Sequence, residues 1–544
     1  MVMLKSVLAK LLQDGGRLHT NQLARHLYNE ILVNNNFIVE KRKDCSNTEM
    51  YFGKDSPISL SDIINYPNTD SEIPPISVAE AETKDYRFTK ILINGIKKIP
   101  AEESYKRLIF SENKNYVTSA VIMGNNGVGK SSFYGSLEFI GMGQMKTAEL
   151  YGIDTKTYLK NHFAVDQEAK AILHTVSDTL NLNFDQPAAN CVPAFFISEW
   201  DIREMEKLSD CGDFIFSQLG MENFRNLIRL LNFSCEKLES AKVSYDQILA
   251  EEAKLGNKVE TLKTLLLGNI ISNKPPVEEE LKEYWELYHK DHEALLKDLL
   301  DSNQTLVNYT SQKASTEEYK TLSKINNWDR EIGQLKELIS VLSTEFNNII
   351  TKWIERILNP LLTKLLSEYL RDEGESIELI YDDNTRSIVA KLELRTNDGN
   401  NGETNPRKYF NTFRFKIFVV SLKIALACCA KIIYKRNWPI VIDDVFNSSD
   451  FNNRTRMGEY ISRICKEYRN IQELAEMKFQ LIIFTQDDVI GEAVYRGLSE
   501  EDMDVRFIRL HDYRCFEKIK PTIDGDIKYI DIDKEIESYR SKDN

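Results

Sequence analysis

The sequence predicts an α/β fold in which a helical insertion separates two lobes of one domain. Three features carry this prediction: a glycine-rich loop at Gly124–Ser131, a strand that ends in Asp443 and Asp444, and a helix-rich segment between them. Loops and carboxylates of these kinds follow strands of a single parallel sheet, at the edge where ligands bind. Because the two motifs lie far apart in the chain, we expect the helical segment to leave and re-enter that domain.

The glycine-rich loop has the pattern G-x-x-x-x-G-K-S, between a strand-like run at 117–123 and a helix-like run at 132–140. With the residue after it, the loop reads Gly124, Asn125, Asn126, Gly127, Val128, Gly129, Lys130, Ser131 and Ser132. Glycines let backbone N–H groups approach a phosphate, and the following helix presents its positive end to it. Lys130 would reach the β- and γ-phosphates, and Ser131 would ligate Mg²⁺. The loop therefore predicts a site for ATP or GTP with Mg²⁺.

The second motif is the strand Ile440–Asp443 with Asp444 after it. A run this continuously apolar is typical of a parallel sheet that is covered on both faces. Carboxylates at its C-terminal end would emerge beside the glycine-rich loop. Asp443 is predicted to hold Mg²⁺ through water, and Asp444 to orient or deprotonate the attacking water. The alternative is a solvated strand end with two ordinary acids.

Composition indicates an ordinary globular chain. Its 544 residues are enough for two or three domains, and 42% of them are hydrophobic and 28% charged. No run of eighteen apolar residues and no secretory signal is evident, so we expect a cytoplasmic protein without a membrane span. The eight cysteines include no C-x-x-C pair, which argues against a disulfide framework or a zinc site. A net charge of −14 argues against a uniformly DNA-binding surface but is compatible with a local basic groove.

Residues 1–80 form a predicted N-terminal extension of two helices and two strands. The helices are Leu4–Gln13 and Thr20–Leu32, and Thr20 is a suitable N-cap. The strands lie at 37–42 and 49–52. This order fits a winged helix, which would suggest DNA contact, and it fits a small docking domain equally well.

Residues 86–215 are predicted to form the N-terminal lobe of the domain, and residues 371–544 the C-terminal lobe. The predicted strands outside the two motifs are 87–99, 106–110, 192–197, 376–381 and 387–394. The last two are joined by a turn and form a hairpin. A flexible loop is expected at 398–406, where glycine, asparagine and proline are frequent.

Residues 216–370 are predicted to be the helical insertion. Arg225–Leu267 and Val277–Leu342 are rich in Leu, Glu and Lys, and a turn containing two prolines separates them. Two long helices around one turn predict an antiparallel hairpin, that is, a short coiled-coil arm. Because the heptads are irregular, a packed helical domain is the alternative.

These features resemble the SMC, Rad50 and RecF group of ABC-type ATPases, whose P-loop heads are split by a helical arm. Tyr409–Ala427 stands in the place of the ABC signature, where a loop enters a long apolar helix with Asn411 as its N-cap. Ser448–Asp450 resembles the D-loop, and Phe479–Asp487 resembles the switch strand. The resemblance implies a head that closes as a dimer over two ATP molecules, with Asn411 and Asp450 among the nucleotide-binding residues.

Two departures from that family concern the catalytic groups. Asp444 replaces the usual glutamate, and Gln486 replaces the switch histidine. Glutamine can hydrogen-bond a γ-phosphate but does not change protonation near neutral pH. The signature also lacks its usual glycines. We therefore expect Asp444 and Gln486 to support hydrolysis that is slow or gated by a partner.

A short-armed head of this kind resembles the ATPase subunit of bacterial anti-phage systems, either Septu-type or retron-linked. That resemblance implies a homodimer or larger oligomer, an HNH nuclease partner in trans, DNA or RNA as a further ligand, and no membrane. The segment after the switch strand is too short for the Toprim nuclease of OLD-type ATPases. The alternative is a RecF- or RecN-type repair ATPase that acts directly on DNA. A transporter subunit is a third interpretation, which the arm fits poorly.

Overall fold

The structure is a computed structural model. It describes residues 2–13, 15–33, 84–97, 99, 106–113, 116–143, 145–160, 169–182, 184, 195–208, 210–267, 282, 285–286, 290, 292–316, 319, 323, 328–367, 375–395, 401–446, 451–501 and 503–510. The described helices are α1 Val2–Leu12, α2 Gln22–Val33, α3 Lys130–Met142, α4 Lys146–Leu150, α5 Thr155–Leu159, α6 Glu199–Lys207, α7 Cys211–Gln218, α8 Glu222–Leu267, α9 His292–Ser315, α10 Trp328–Trp353, α11 Asn359–Leu366, α12 Pro406–Tyr409, α13 Thr412–Tyr434, α14 Phe451–Thr455, α15 Met457–Asn470 and α16 Asp488–Glu500. A π-helical turn, Ile354–Leu358, follows α10, and a 3₁₀ turn, Gln472–Leu474, follows α15.

The described strands are β1 Lys84–Asp85, β2 Phe88–Asn94, β3 Lys106–Ile109, β4 Ser111–Asn113, β5 Tyr116–Val117, β6 Ser119–Met123, β7 Lys170–Thr175, β8 Thr179–Asn181, β9 Phe196–Ile197, β10 Ser376–Asp382, β11 Ser387–Arg395, β12 Asn401–Thr404, β13 Arg436–Asn437, β14 Ile440–Asp443, β15 Leu481–Thr485 and β16 Val505–Arg509. The chain divides into two compact units. The helical unit comprises Met1–Ile76 and Asn223–Phe346, and the sheet unit comprises Ser77–Glu222 and Asn347–Asn544. The finer division into four segments stays a prediction.

Within the helical unit, the long helix α8 pairs with α9 in antiparallel orientation. Lys258 Nζ lies 2.9 Å from Asp298 Oδ1, and Tyr309 Oη donates to the carbonyl of Ile248 at 3.3 Å. The residue nearer the start of α8 contacts the residue nearer the end of α9, so the two helices run antiparallel. This pairing is the antiparallel hairpin that the sequence predicts.

The other half of α8 pairs with α10, also in antiparallel orientation. Lys242 Nζ lies 2.6 Å from Asp329 Oδ1, and Lys336 Nζ lies 2.6 Å from Glu239 Oε1. The prediction of one helix over 277–342 is therefore wrong. Helix α9 ends at Ser315 and a separate helix begins at Trp328, so each covers a different length of α8.

Both helices predicted in the N-terminal extension are present, but the predicted cap of the second is wrong. Asn21 caps α2, because its Oδ1 accepts from the backbone N–H of Ala24 at 2.9 Å. Its amide nitrogen also donates to the carbonyl of Gln334 and to Glu337, both at 2.9 Å. Asn21 can bond α2 and α10 at once, which explains its use in place of Thr20. The strands predicted at 37–42 and 49–52 lie outside the described residues.

The sheet unit is built on a five-stranded sheet with the order β16-β6-β15-β14-β9, and every neighbouring pair is parallel. All residues of β6 and β15 are buried. Strand β15 lies between the strand before the glycine-rich loop and the strand that ends in Asp443. In register, Asp443 pairs with Phe484 and Thr485 pairs with Met123, so the three strands end at one edge.

Antiparallel strands form separate sheets beside this one. The order β3-β2-β7-β8 defines a four-stranded sheet, and β10-β11-β12 a three-stranded sheet. The predicted hairpin over 376–394 is confirmed as β10 and β11. The loop expected at 398–406 is corrected over 401–404, where β12 pairs with β11 and Leu392 faces Thr404. Pairing with an existing strand edge satisfies backbone groups that this polar sequence would otherwise expose to water.

Helix α13 is the core helix of the sheet unit. Residues 415–431 are buried without interruption, including Cys428 and Cys429. In the part of the chain that the structure describes, α13 is also the one helix long and apolar enough to cross a membrane, and 83% of its apolar window is buried inside the fold.

The parallel sheet, the adjacent antiparallel sheet and the helical segment between its two motifs confirm the predicted fold class. It is an α/β fold in which a helical segment separates the glycine-rich loop from the strand that ends in Asp443.

Candidate nucleotide-binding site

The glycine-rich loop connects the buried strand β6 to α3, as the sequence predicts. Gly127 and Gly129 have φ angles of 93° and 105°, a region that side chains with a Cβ rarely occupy. A Cβ on Gly124 would lie 2.7 Å from Val128 Cγ2 and 3.0 Å from the carbonyl oxygen of Leu510. The conformation of the loop therefore requires these three glycines.

Lys130 begins α3 and is buried within the loop. Its ammonium donates to the carbonyl oxygens of Gly124 and, at 3.1 Å, Asn125. Burial lowers the pKa of Lys130, while Asp444 and Asp443 act in the opposite direction. The loop residues at 125–127 and Ser131 are exposed, whereas Val128 and Ser132 are buried. Asn125, Asn126 and Ser131 are thus the loop residues whose side chains are open to a ligand.

Asp443 ends β14 at the same edge of the sheet. Burial and the neighbouring Asp444 raise the pKa of Asp443 to about 7, and Lys130 and Lys97 oppose the rise. Two adjacent carboxylates beside one ammonium form a set of ligands that a divalent cation would stabilise, since Mg²⁺ prefers carboxylate and hydroxyl oxygens. The residues at this edge therefore fit both a phosphate and Mg²⁺, which Ser131 and Asp443 would hold.

Asp444 has a left-handed backbone, with φ of 47°. Its N–H donates to the carbonyl of Phe484 at 2.9 Å, which continues the pairing with β15. Its Oδ1 accepts from Thr485 Oγ1 at 3.4 Å and from the backbone N–H of Gln486 at 3.3 Å. A non-glycine residue in this conformation is uncommon and is held by its surroundings. The structure thus brings together the two residues that the sequence predicts as catalytic.

The segment after β15 is fixed by Asp487. Its Oδ1 accepts from the backbone N–H groups of Val489 and Ile490 at 3.0 and 3.1 Å and caps α16. Its Oδ2 lies 2.8 Å from Arg454 Nη1 of α14. The position of Gln486 is therefore coupled to the helix that follows the predicted D-loop. Asp450 itself lies outside the described residues.

Asn411 is confirmed as the N-cap of α13, because its Oδ1 accepts from the backbone N–H of Arg414 at 2.9 Å. The Asn411 side chain is exposed. Arg414, in the first turn, lies 3.6 Å from the buried carboxylate of Glu375. The predicted signature position is therefore an exposed, capped helix start.

Sequence reasoning missed Lys97. This residue follows β2 with φ of 50°, and its Nζ lies 3.8 Å from the centre of the Tyr158 ring. Burial lowers the pKa of Lys97 to about 8, and Asp443 and Glu138 act against that shift. A Cβ on Gly129 would lie 3.3 Å from Ile99 Cδ1, so the turn after β2 packs directly on the glycine-rich loop. A lysine in a turn gives no local signal of this placement.

Glu138 was also missed, since it lies within the apolar-looking helix α3. It is fully buried, and neither carboxylate oxygen has a side-chain hydrogen-bond partner among the described residues. Burial raises the pKa of Glu138 to about 8; Lys146 opposes the rise, and Asp201 and Asp443 add to it. The sequence signal for Glu138 was a charged residue among the apolar residues of a predicted core helix.

No protein-family model matches the chain, and no curated protein matches it significantly. Among solved structures, it is similar to the Smc head domain with an extended coiled coil, bound to the C-terminal domain of ScpA, from Pyrococcus furiosus. The identity is 13% and the TM-score 0.39, over 84% of this chain and 100% of that chain.

It is also similar to the Smc head domain with a coiled coil and joint from Pyrococcus yayanosii, at 15% identity and a TM-score of 0.39, over 84% of this chain and 100% of that one. The recombination mediator protein RecF with ATP matches at 13% identity and a TM-score of 0.33, over 78% of this chain and 98% of that chain. The case for a nucleotide site comes from the residues described above.

Proposed function

We propose that this chain is an ATPase that binds ATP with Mg²⁺ and hydrolyses it slowly. The observation that carries the proposal is the meeting of Lys130, Asp443 and Asp444 at the carboxyl edge of one parallel sheet. A phosphate-binding loop alone would support nucleotide binding only. Strand β14, which is separated from β6 by β15, ends in the two adjacent carboxylates that hydrolysis needs.

Each residue has a role that follows from its position. Loop N–H groups and Lys130 would bind the phosphates, and Ser131 and Asp443 would hold Mg²⁺, which neutralises developing charge on the phosphate oxygens when bound. Asp444 would orient or deprotonate the attacking water. Its bonds to Thr485 and Gln486 fix that carboxylate, while Gln486 supplies no titrating proton. These features support slow turnover.

We also propose that two copies close over two ATP molecules. The support is the exposed N-cap Asn411 on α13, a helix start that is open to a ligand carried by another molecule. Helix N-termini favour anions because of their free N–H groups and dipole. A symmetric pair of such contacts makes a self-complementary interface.

The output that we propose is control of an HNH nuclease partner in bacterial anti-phage defence. Support for this step comes from the sequence resemblance and the short arm formed by α8 and α9. A RecF- or RecN-type repair ATPase is equally compatible with the geometry of the site. The two functions differ in what stimulates the enzyme.

The deciding experiment is a pull-down of the native protein with its genomic neighbours, followed by ATPase assays with and without duplex DNA. A co-purifying HNH nuclease, together with weak ATPase activity of the protein alone, would support the defence function. Strong stimulation by DNA without any protein partner would instead establish the repair function.

A further inference from the structure

A buried ion cluster joins three helices of the sheet unit. It consists of Lys146 of α4, Asp201 of α6 and Lys423 of α13, whose side chains are 2%, 0% and 0% exposed. Lys146 Nζ lies 2.6 Å from Asp201 Oδ1, and Lys423 Nζ lies 3.1 Å from the same oxygen. One carboxylate therefore holds two ammonium groups in the interior.

A second ion pair links α6 and α13 nearer to the surface. Lys416 Nζ of α13 lies 3.0 Å from Glu199 Oε2 of α6. Lys416 precedes Lys423 by two helical turns, so both lysines lie on one face of α13. Helix α13 is thus attached to α6 at two points along its length.

Helix α6 connects this attachment to the candidate site. It follows β9 directly, and β9 pairs with β14, where Phe196 faces Val441 and Ile197 faces Ile442. Strand β14 ends in Asp443, the residue after Ile442. Asp201 also anchors the start of α6, because its Oδ2 accepts from the backbone N–H of Ser198 at 2.9 Å. The path from the acidic strand to α13 is therefore short and made of rigid elements.

Stability alone does not explain this cluster. Burying three charges is costly, and replacement of such groups by apolar residues is often neutral or stabilising. Apart from the three lysines Lys416, Lys423 and Lys431 and from Ser421, the buried residues 415–431 of α13 are apolar, and apolar contacts alone select one position of a helix poorly. Ion pairs with fixed partners do favour one position of a helix, as polar residues do when they set the register of helical assemblies. Gln218 of α7 also accepts from Lys423, which fixes that ammonium further.

We propose that Lys146, Asp201 and Lys423 are positioning residues for the trans contact of the ATPase. They hold α13 at one position relative to β14, so that Asn411 meets the nucleotide held by a second copy. This inference rests on the proposed function, because it assumes ATP-dependent closure of two heads. Specifically, the cluster acts on the closure of two heads and not on the binding of nucleotide to one chain.

The test uses the Asp444→Ala background, in which hydrolysis does not obscure binding. ATP affinity is measured by calorimetry, and ATP-dependent dimerisation by analytical ultracentrifugation. Lys423→Met is expected to keep its ATP affinity within about threefold of the parent and to dimerise about tenfold more weakly. The matched control is Lys431→Met, which removes another fully buried lysine of α13 that lies outside the cluster. It should retain both properties.

A variant with Lys146→Met, Asp201→Asn and Lys423→Met together separates positioning from packing. It removes all three charges and keeps an acceptor for the N–H of Ser198. We expect its dimerisation to stay weak, whether its melting temperature is above or below that of the parent. Normal dimerisation of this triple variant or of Lys423→Met would overturn the inference. A parent protein that fails to bind ATP or to dimerise would overturn the proposed function itself, and the inference with it.

Discussion

Asp444 Oδ1 lies 3.3 Å from the backbone nitrogen of Gln486, a contact between the ends of two adjacent parallel strands. The contact joins the predicted catalytic acid to the predicted switch through the main chain. The donor is a backbone N–H, which every residue except proline has, so glutamine in place of histidine at position 486 does not disturb the placement of Asp444. What glutamine removes is a group that titrates near neutral pH.

Asp444→Ala is expected to abolish hydrolysis and leave ATP binding intact. Loss of a group that orients or deprotonates water costs on the order of a hundredfold or more in kcat. The phosphate contacts of the loop are unaffected, so ATP should accumulate in a closed dimer. Single-turnover hydrolysis and ultracentrifugation with ATP measure the two effects. Hydrolysis at the normal rate would show that another residue is the catalytic acid.

Lys130→Ala is expected to abolish ATP binding. The ammonium lies inside the loop against the carbonyl oxygens of Gly124 and Asn125 and is the cation nearest to the phosphates in the proposed complex. Titration with a fluorescent ATP analogue measures the loss. Lys207→Ala, an exposed lysine of α6, is the control and should bind normally. Equal affinity for both variants would remove the loop as the nucleotide site.

Gly129→Ala and Gly333→Ala should change stability in opposite directions. Gly129 has φ of 105° and faces Ile99 Cδ1 at 3.3 Å, so an added Cβ should destabilise the fold by about 1–2 kcal/mol and weaken ATP binding. Gly333 is in the interior of α10, with nothing within 4 Å of an added Cβ. Alanine there should stabilise the fold by about 1 kcal/mol. Urea unfolding of both variants measures the difference, and a shared sign would contradict the backbone argument.

Lys431→Met should stabilise the protein most strongly at and below pH 8. Lys431 is fully buried against Tyr468, and burial lowers its pKa from 10.5 to about 8. The unfolded chain therefore binds a proton more readily between these values, so wild-type stability is full above about pH 10.5 and is lost as the pH falls to 8. The gain from methionine at pH 7 should be about 3 kcal/mol and should vanish above about pH 11. Unfolding curves across this range measure it, with exposed Lys466→Met as the control. A pH-independent gain would point to packing as its cause.

The parts of the site that the sequence predicts are those with a local pattern. Gly124–Ser131 and the strand ending in Asp443 each combine a motif with its own strand or helix, and the structure places both at one sheet edge. Asn411 is recognisable because a cap and the helix after it are adjacent in sequence. These features depend on interactions within a few residues.

The parts that were missed depend on contacts between distant segments. Lys97, Glu138 and Asp201 approach the acidic strand only after the antiparallel sheet, α3 and α6 have packed around it. For the same reason, the uniformly helical composition does not reveal the break between α9 and α10. The break follows from which part of α8 each of the two helices packs against. Strand β12 likewise exists because β11 offers an edge.

The ends of the inserted part of the helical unit meet. Phe224 and Phe346, close to where the chain enters and leaves it, pack edge to face with ring centres 5.3 Å apart. A segment whose ends are already adjacent adds little closure entropy when its length changes. Arms of other lengths could thus be grafted onto these two positions while the sheet unit keeps its sequence, which makes the reach of the arm a separately adjustable property of the molecule.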